Sequence, residues 1–173
     1  MFQLQVREDS SEIFRYNDPE VPLYVSRGRL AVFPGREMLC HWHEDVEYVR
    51  AAKGRMLYHV NGETVLLEEG DGLLINSKQL HYGSSDHGAD CDYDCVLFRP
   101  RILCGNFAVQ RTYVDAVADA SHIVSRRVAP GSPIGECFRQ VCLLYREKPA
   151  GYALRAVGQL SLMWSYFYEE VQD

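Results

Sequence analysis

Asn61-Gly62 lies between two five-residue runs, Met56-Leu57-Tyr58-His59-Val60 and Glu63-Thr64-Val65-Leu66-Leu67, and restricts the fold more than any other stretch. Both residues tolerate the positive φ of a type I′ turn, so Asn-Gly between such runs is the strongest short-range hairpin signal. A two-residue loop fixes the register, pairing Val60 with Glu63, Tyr58 with Val65 and Met56 with Leu67, while His59 meets Thr64 on the other face. Met56, Tyr58, Val65 and Leu67 therefore look inward together, either as specificity residues of a ligand pocket or, more commonly for such positions, as plain core. His59 is read as a surface or interface residue. Further strands are predicted at Leu23–Ser26, Arg29–Phe33 (set off by Gly28 and Pro34-Gly35), Glu47–Val49, Leu73–Ile75 and Cys91–Phe98. About eight short strands between residues 22 and 99, punctuated by turn residues, predict a sandwich or barrel.

One stretch of this β region carries chemistry. His41 and His43 stand at i and i+2, so on an extended chain their side chains share a face. Glu44-Asp45-Val46 is polar enough to turn the chain, after which Glu47 opens the next strand opposite the histidines. His81 ends a second apolar strand. Three neutral imidazoles and one carboxylate suit a first-row divalent metal, with coordination positions left for water or ligand. The bland alternative is a polar lining that contacts an organic ligand without metal. Trp42, between the two histidines, points away from them and is expected to pack under helices.

Beyond Pro100 the periodicity changes. Apolar positions at spacings of three and four predict helices over 107–127 and 133–147. A last helix carries the stripe Ala153, Val157, Leu160, Trp164, Phe167 and Val171. Trp164, Tyr166, Phe167 and Tyr168 offer more aromatic surface than one helix needs to hide, which suggests a homodimer through the C-terminal helices. The chain stops at Val171-Gln172-Asp173 without a glycine cap or terminating proline, as expected at the edge of a domain in a longer protein. Residues 1–21 read as a polar arm.

Composition sets outer limits. With 173 residues, 47% hydrophobic and 24% charged, the chain suits a well-filled core. No apolar run is long enough to span a membrane, and the first residues do not read as a secretion signal, so cytoplasmic residence is the default. Six cysteines form no Cys-x-x-Cys pair and are read as reduced thiols. A net charge of −6 argues that the chain alone does not grip nucleic acid through phosphates.

The spacing Gly35, His41, His43, Glu47, Gly54 resembles the first motif of the cupin superfamily at every defined position. The second motif is matched in part: Gly70 and His81 stand in place, but Asn76 replaces its proline, Lys78 its glycine and Ser85 its final asparagine. Arm, barrel, the strand ending Val96-Leu97-Phe98-Arg99-Pro100 and the helices, with Gly151-Tyr152 and Leu160-Ser161-Leu162-Met163-Trp164, together resemble the N-terminal sensing and dimerisation region of AraC-type transcription regulators. The resemblance implies a mainly β fold with α: a double-stranded β-helix, a cupin or jelly-roll-like barrel, followed by a C-terminal helical subdomain. The divisions are an arm at 1–21, a barrel at 22–105 and a helical linker and dimerisation region at 106–173, with a helix-turn-helix domain expected downstream. The implied function is sensing a small-molecule effector in the cupin cavity and controlling DNA binding through that other domain. His41, His43, Glu47 and His81 are the implied ligands of one divalent metal (Zn, Ni, Mn or Fe) or otherwise line the pocket. Which of the arm residues, such as Phe14, Arg15 and Tyr16, fold over the opening decides the pocket's chemistry. The alternative is a stand-alone metal-dependent cupin enzyme, a dioxygenase or isomerase. Against it, no additional acid or base stands beside the ligands in the sequence.

Overall fold

The central hairpin forms in the register its turn dictates. In the computed structural model, which describes residues 4–172, β3 (Met56–Val60) pairs with β4 (Glu63–Leu67) through Met56–Leu67, Tyr58–Val65, His59–Thr64 and Val60–Glu63. Asn61 and Gly62 take φ of 49° and 88°, the turn geometry that twists with the strands. Residues 1–3 of the expected arm, and Asp173, lie outside the described residues. β6 (His81–Ser84) pairs with the free edge of β3, giving a sheet ordered β4-β3-β6.

A second sheet is built from β1 (Leu23–Arg29), β2 (Val46–Gly54), β5 (Gly72–Ile75), β7 (Cys91–Phe98) and β8 (Ser125–Val128), ordered β1-β7-β2-β5-β8 with antiparallel pairs throughout. Both faces of this sheet are covered, which is why β2 shows no clean alternation. Val46 and Tyr48 join a core beneath the helices, whereas Val49 and Ala51 join a second core with Met56, Tyr58, Leu67, Leu73 and Ile75.

The helical side follows from its caps. Ser132 accepts a hydrogen bond from the Gly135 amide at the start of α3 (Pro133–Glu147), with Pro133 at its first turn, and Lys148 ends it in the left-handed region. α4 (Tyr152–Gln172) packs along α3 and buries Ala156, Leu160, Met163, Trp164 and Phe167. Tyr48 stacks on Phe138 with ring centroids 3.9 Å apart, joining α3 to the sheet.

Several sequence expectations are corrected. Arg29–Phe33 is not a separate strand: β1 runs through Gly28 to Arg29, and the chain then makes 3-10 turns at Leu30–Val32 and Pro34–Arg36. Gly28 breaks nothing because it sits under Tyr93, whose Cζ would lie 2.3 Å from an added Cβ. The helix expected over 107–127 is shorter: α1 (Phe107–Val109), a π turn at Gln110–Asp115 and α2 (Ala116–Ala118) precede β8, which sequence periodicity missed. Trp42 lies under the arm, with its indole N–H donating to the Asp9 carbonyl. Trp164 and Phe167 are buried within the domain, and the Trp164 indole donates to the Tyr113 carbonyl. Tyr166 and Tyr168 are half-buried against the same core, and the exposed large apolar residues of α4 are Leu154 and Leu162.

Asn76, which stands where the cupin motif has proline, has a structural task. Its side-chain amide donates to the carbonyls of Val117 and Ile123, both at 2.9 Å, and its backbone N–H to Val124. Replacing it with alanine leaves the Ile123 carbonyl without a partner and the Val117 carbonyl with the Ala120 amide, so Asn76→Ala is expected to cost about 1–3 kcal/mol. Urea denaturation measures this directly, and an unshifted midpoint would contradict the assignment.

Candidate metal centre and cavity

His41 and His81 are brought together by a narrow antiparallel bridge: each backbone N–H donates to the other's carbonyl, at 3.0 and 2.8 Å. The bridge holds although the turn before His81 departs from the motif. Lys78, in the glycine position, takes φ of 64° and donates its N–H to the His43 carbonyl, accepting a conformation that costs a side-chain-bearing residue about 1–2 kcal/mol. His43 follows two residues after His41, and Glu47 is the second residue of β2. All four side chains are buried, and one ligand atom from each lies within 4.8 Å of the others.

Orientation is set by the imidazole nitrogen on the far side of each ring. The Nδ1 atoms of His41, His43 and His81 lie 2.7, 3.0 and 2.7 Å from the carbonyl oxygens of Leu39, Asp45 and Gln79. A carbonyl only accepts, so each Nδ1 carries a proton, and a ring in its neutral form presents its Nε2 lone pair inward. Glu47 Oε2 lies 3.2 Å from His43 Nε2 and 3.3 Å from His81 Nε2. The other Glu47 oxygen accepts from the Tyr58 hydroxyl. Converging lone pairs, one carboxylate and an anchored outer shell fit a first-row divalent ion.

The electrostatics of the cluster fit the same conclusion. Burial works against ionisation of Glu47, yet the imidazoles of His81 and His43 hold its carboxyl well below the usual carboxylate range. Burial likewise disfavours charge on His81, and Glu47 overcomes it, raising the imidazole. Burial and then His81 push His41 down to about 3. Glu47 and His81 thus favour each other's charged forms while His41 is neutral, and a bound cation would compete with a proton on His81.

A cavity of about 540 Å³ opens beside the cluster, within the range of small-molecule sites. Phe14, Tyr24, Phe33, Val49, Tyr93 and Leu97 supply apolar and aromatic wall, and His41, Glu47 and Tyr58 form part of a polar end. Of the four hairpin residues considered from the sequence, Tyr58 reaches the cavity wall. Met56 and Leu67 are fully buried in the core between the sheets, and Val65 packs against that core. His59 is half-buried between Thr64 and Ser84 and stacks on Tyr82.

The arm supplies the rest. Phe14 lines the cavity and meets the His43 ring edge-on at 5.9 Å, the Tyr16 hydroxyl donates to buried Asp45 at 2.8 Å, and Arg15 is exposed. Glu12 is the residue that sequence reasoning missed. Its carboxylate lies 3.8 Å from His41 Nε2 and 4.0 Å from His43 Nε2. Burial, then the Glu47 charge, push it up to about 8. It stands far from His41 in sequence and in no metal-ligand spacing, so no local pattern marks it.

The sandwich, its metal-capable cavity and the helical layer define a small-molecule-binding domain of cupin type. The chain belongs to the AraC-like ligand binding domain family, which it matches over residues 24–163. It is 29% identical over 128 residues to the uncharacterized HTH-type transcriptional regulator YdeC of Bacillus subtilis, an alignment that covers 72% of this chain and 44% of YdeC. Among solved structures, unsaturated fatty acid bound ToxT from Vibrio cholerae has a similar fold, with a TM-score of 0.54 at 8% identity, covering 87% of this chain and 54% of ToxT. A cupin protein from Bacteroides fragilis aligns with a TM-score of 0.43 at 21% identity, over 50% of this chain and 74% of its own. The chain thus spans about half the length of YdeC and ToxT. No helix among the described residues is long and apolar enough to cross a membrane.

Proposed function

We propose that this chain is the effector-sensing and dimerisation part of an AraC-type transcription regulator. A small organic effector enters the cavity, one divalent metal (Zn, Ni, Mn or Fe) is held by His41, His43, Glu47 and His81, and a helix-turn-helix domain elsewhere in the full protein responds. The observation that supports this reading most is the continuity of the 540 Å³ cavity with the buried His and Glu cluster at its polar end. Its walls suit a ligand with an apolar or aromatic body and an oxygen donor directed at that end. When bound, the ion supplies a Lewis-acidic point for that donor. Tyr58 and the three backbone carbonyls hold the ligand side chains in position.

The functional divisions follow the sequence reading: arm 1–21, barrel 22–105, helical region 106–173. Homodimerisation is assigned to the outward face of α4, where Leu154 and Leu162 are exposed. An effector shifts the regulator only through its differential affinity for two arrangements of arm and helices.

A metal-dependent enzyme is the second reading, and Glu12 favours it: a buried carboxyl raised to about 8 beside the cluster is the acid or base that the sequence did not reveal. Native mass spectrometry of the metal-loaded chain against a library of aromatic and aliphatic acids and alcohols tests both. Sensing predicts one ion and one organic molecule retained unchanged. Chemical conversion of the retained molecule would favour the enzyme, and retention of neither ion nor molecule would remove the sensing proposal.

A further inference from the structure

The arm is attached to the same backbone that presents the imidazoles. The Glu12 amide donates to the Trp42 carbonyl at 2.9 Å, and the Trp42 amide donates to Ser10 at 3.0 Å. The Ile13 amide donates to Gln5 at 2.8 Å, so residues 5–13 close into a small hairpin. Because side chains alternate along an extended chain, His41 and His43 face Glu47 and His81 while Trp42 faces the arm. The pairing of Ser11 with Trp42 sets Glu12 over the histidines.

The Glu12 carboxylate is poorly served by the protein itself. Its side chain is 5% exposed, and Oε2 is buried without a hydrogen-bond partner. Leaving such an oxygen unsatisfied is costly. Its separations from the imidazoles are informative, because two donors each about 2.1 Å from one ion lie between about 3 Å apart at a right angle and about 4.2 Å apart when opposite. The observed 3.8 and 4.0 Å to His41 and His43 fall in that window.

We propose that Glu12 is an arm-borne ligand of the metal centre, so that metal occupancy fastens residues 5–16 onto the sandwich. This rests on the reading that His41, His43, Glu47 and His81 hold a metal. The four barrel residues form the site, and Glu12 closes its open side with the oxygen that otherwise has no partner. The arm's other attachments include backbone hydrogen bonds to Trp42, the Tyr16 bonds with Asp45 and Arg99 and the contacts of Phe14 and Trp42, and a metal–carboxylate bond is a substantial addition to them.

Hydrogen exchange of the arm amides, followed with Zn²⁺ and with EDTA in the full chain and alongside a zinc titration, tests this. In the wild type, Zn²⁺ is expected to slow exchange over residues 5–16 about tenfold or more. In Glu12→Gln, which keeps size and polarity but loses the charge, zinc still binds at one equivalent, about 10- to 100-fold more weakly, and the arm exchanges as it does in EDTA. Glu12→Asp, with a shorter reach, is expected to recover part of the effect. Stoichiometric zinc with unchanged arm exchange in the wild type, or equal slowing in Glu12→Gln, overturns the inference and leaves the four-residue site intact. Absence of zinc binding in the wild type overturns both.

Discussion

Replacing His41 by alanine is expected to weaken zinc binding by about 30- to 1,000-fold while the metal-free chain keeps its fold. A structural zinc site is worth about 10–16 kcal/mol, so one of four ligands carries about 2–4 kcal/mol. His41 suits the experiment because of its charge state. Burial and the neighbouring His81 push its imidazole down to about 3, so its removal from the metal-free protein at neutral pH takes away no charge. What is lost there is packing and the Nδ1 bond to the Leu39 carbonyl, a cost of about 1–2 kcal/mol. His81→Ala would behave differently. It removes one of the two imidazoles, His81 and His43, that hold Glu47 ionised, and leaving that buried charge short of a partner costs the metal-free chain about 3–5 kcal/mol. Competition titration against a chelator, paired with thermal melts in EDTA, separates the two effects. Unchanged zinc affinity in His41→Ala would place the ion elsewhere.

Glu12→Gln is expected to stabilise the metal-free chain at pH 8 by about 1–3 kcal/mol, roughly 2–12 °C in Tm, and to do little at pH 4.5. The sign follows from the raised carboxyl. In the unfolded chain Glu12 ionises near 4.5, and in the folded chain burial, the Glu47 charge and, more weakly, Asp45 push it up to about 8, with His81 opposing them. Between those values the folded state retains a proton that the unfolded state has lost. The stabilisation present below pH 4.5 is therefore lost as pH rises through about 8. Glutamine carries no such proton, so its advantage grows across that window. With zinc present the order reverses, because the wild-type carboxylate then has a cation to meet and glutamine does not. Thermal melts of both chains in EDTA and in zinc, at pH 5 and pH 8, give four comparisons. A difference independent of pH would show that the Glu12 charge is not what the fold opposes.

Much of the fold was legible because local rules and tertiary demands agree. The Asn61-Gly62 turn fixes a register that no neighbour contradicts, and the spacing of apolar residues over 133–147 marks α3 before any packing is considered. Legibility failed where a distant partner decides. Ser125–Val128 is too short and too polar to declare itself a strand; the open edge of β5 makes it one. Gly28 reads as a break in one dimension, yet in three it makes room for Tyr93. Asn76 and Lys78 look like losses from a motif, but the first secures the 117–124 segment and the second keeps the left-handed turn that glycine would have adopted more cheaply.

The site divides along the same line. His41, His43, Glu47 and His81 could be named from spacing alone, because a strand's two-residue period and the coordination habits of a divalent ion are both local facts. The sequence also determined that a β-sandwich would be followed by helices, since periods of two and of 3.6 are written in the order of apolar residues. Tertiary structure alone decided that Tyr58 lines the cavity while Met56 and Leu67 lie in the core, because all three share one face of the hairpin and only the shape of the opposing sheet separates them. It alone brought Glu12 to the imidazoles. That contact depends on a hairpin of the arm pairing with Trp42, and hydrogen bonds between segments distant in the chain leave no periodic trace in either one.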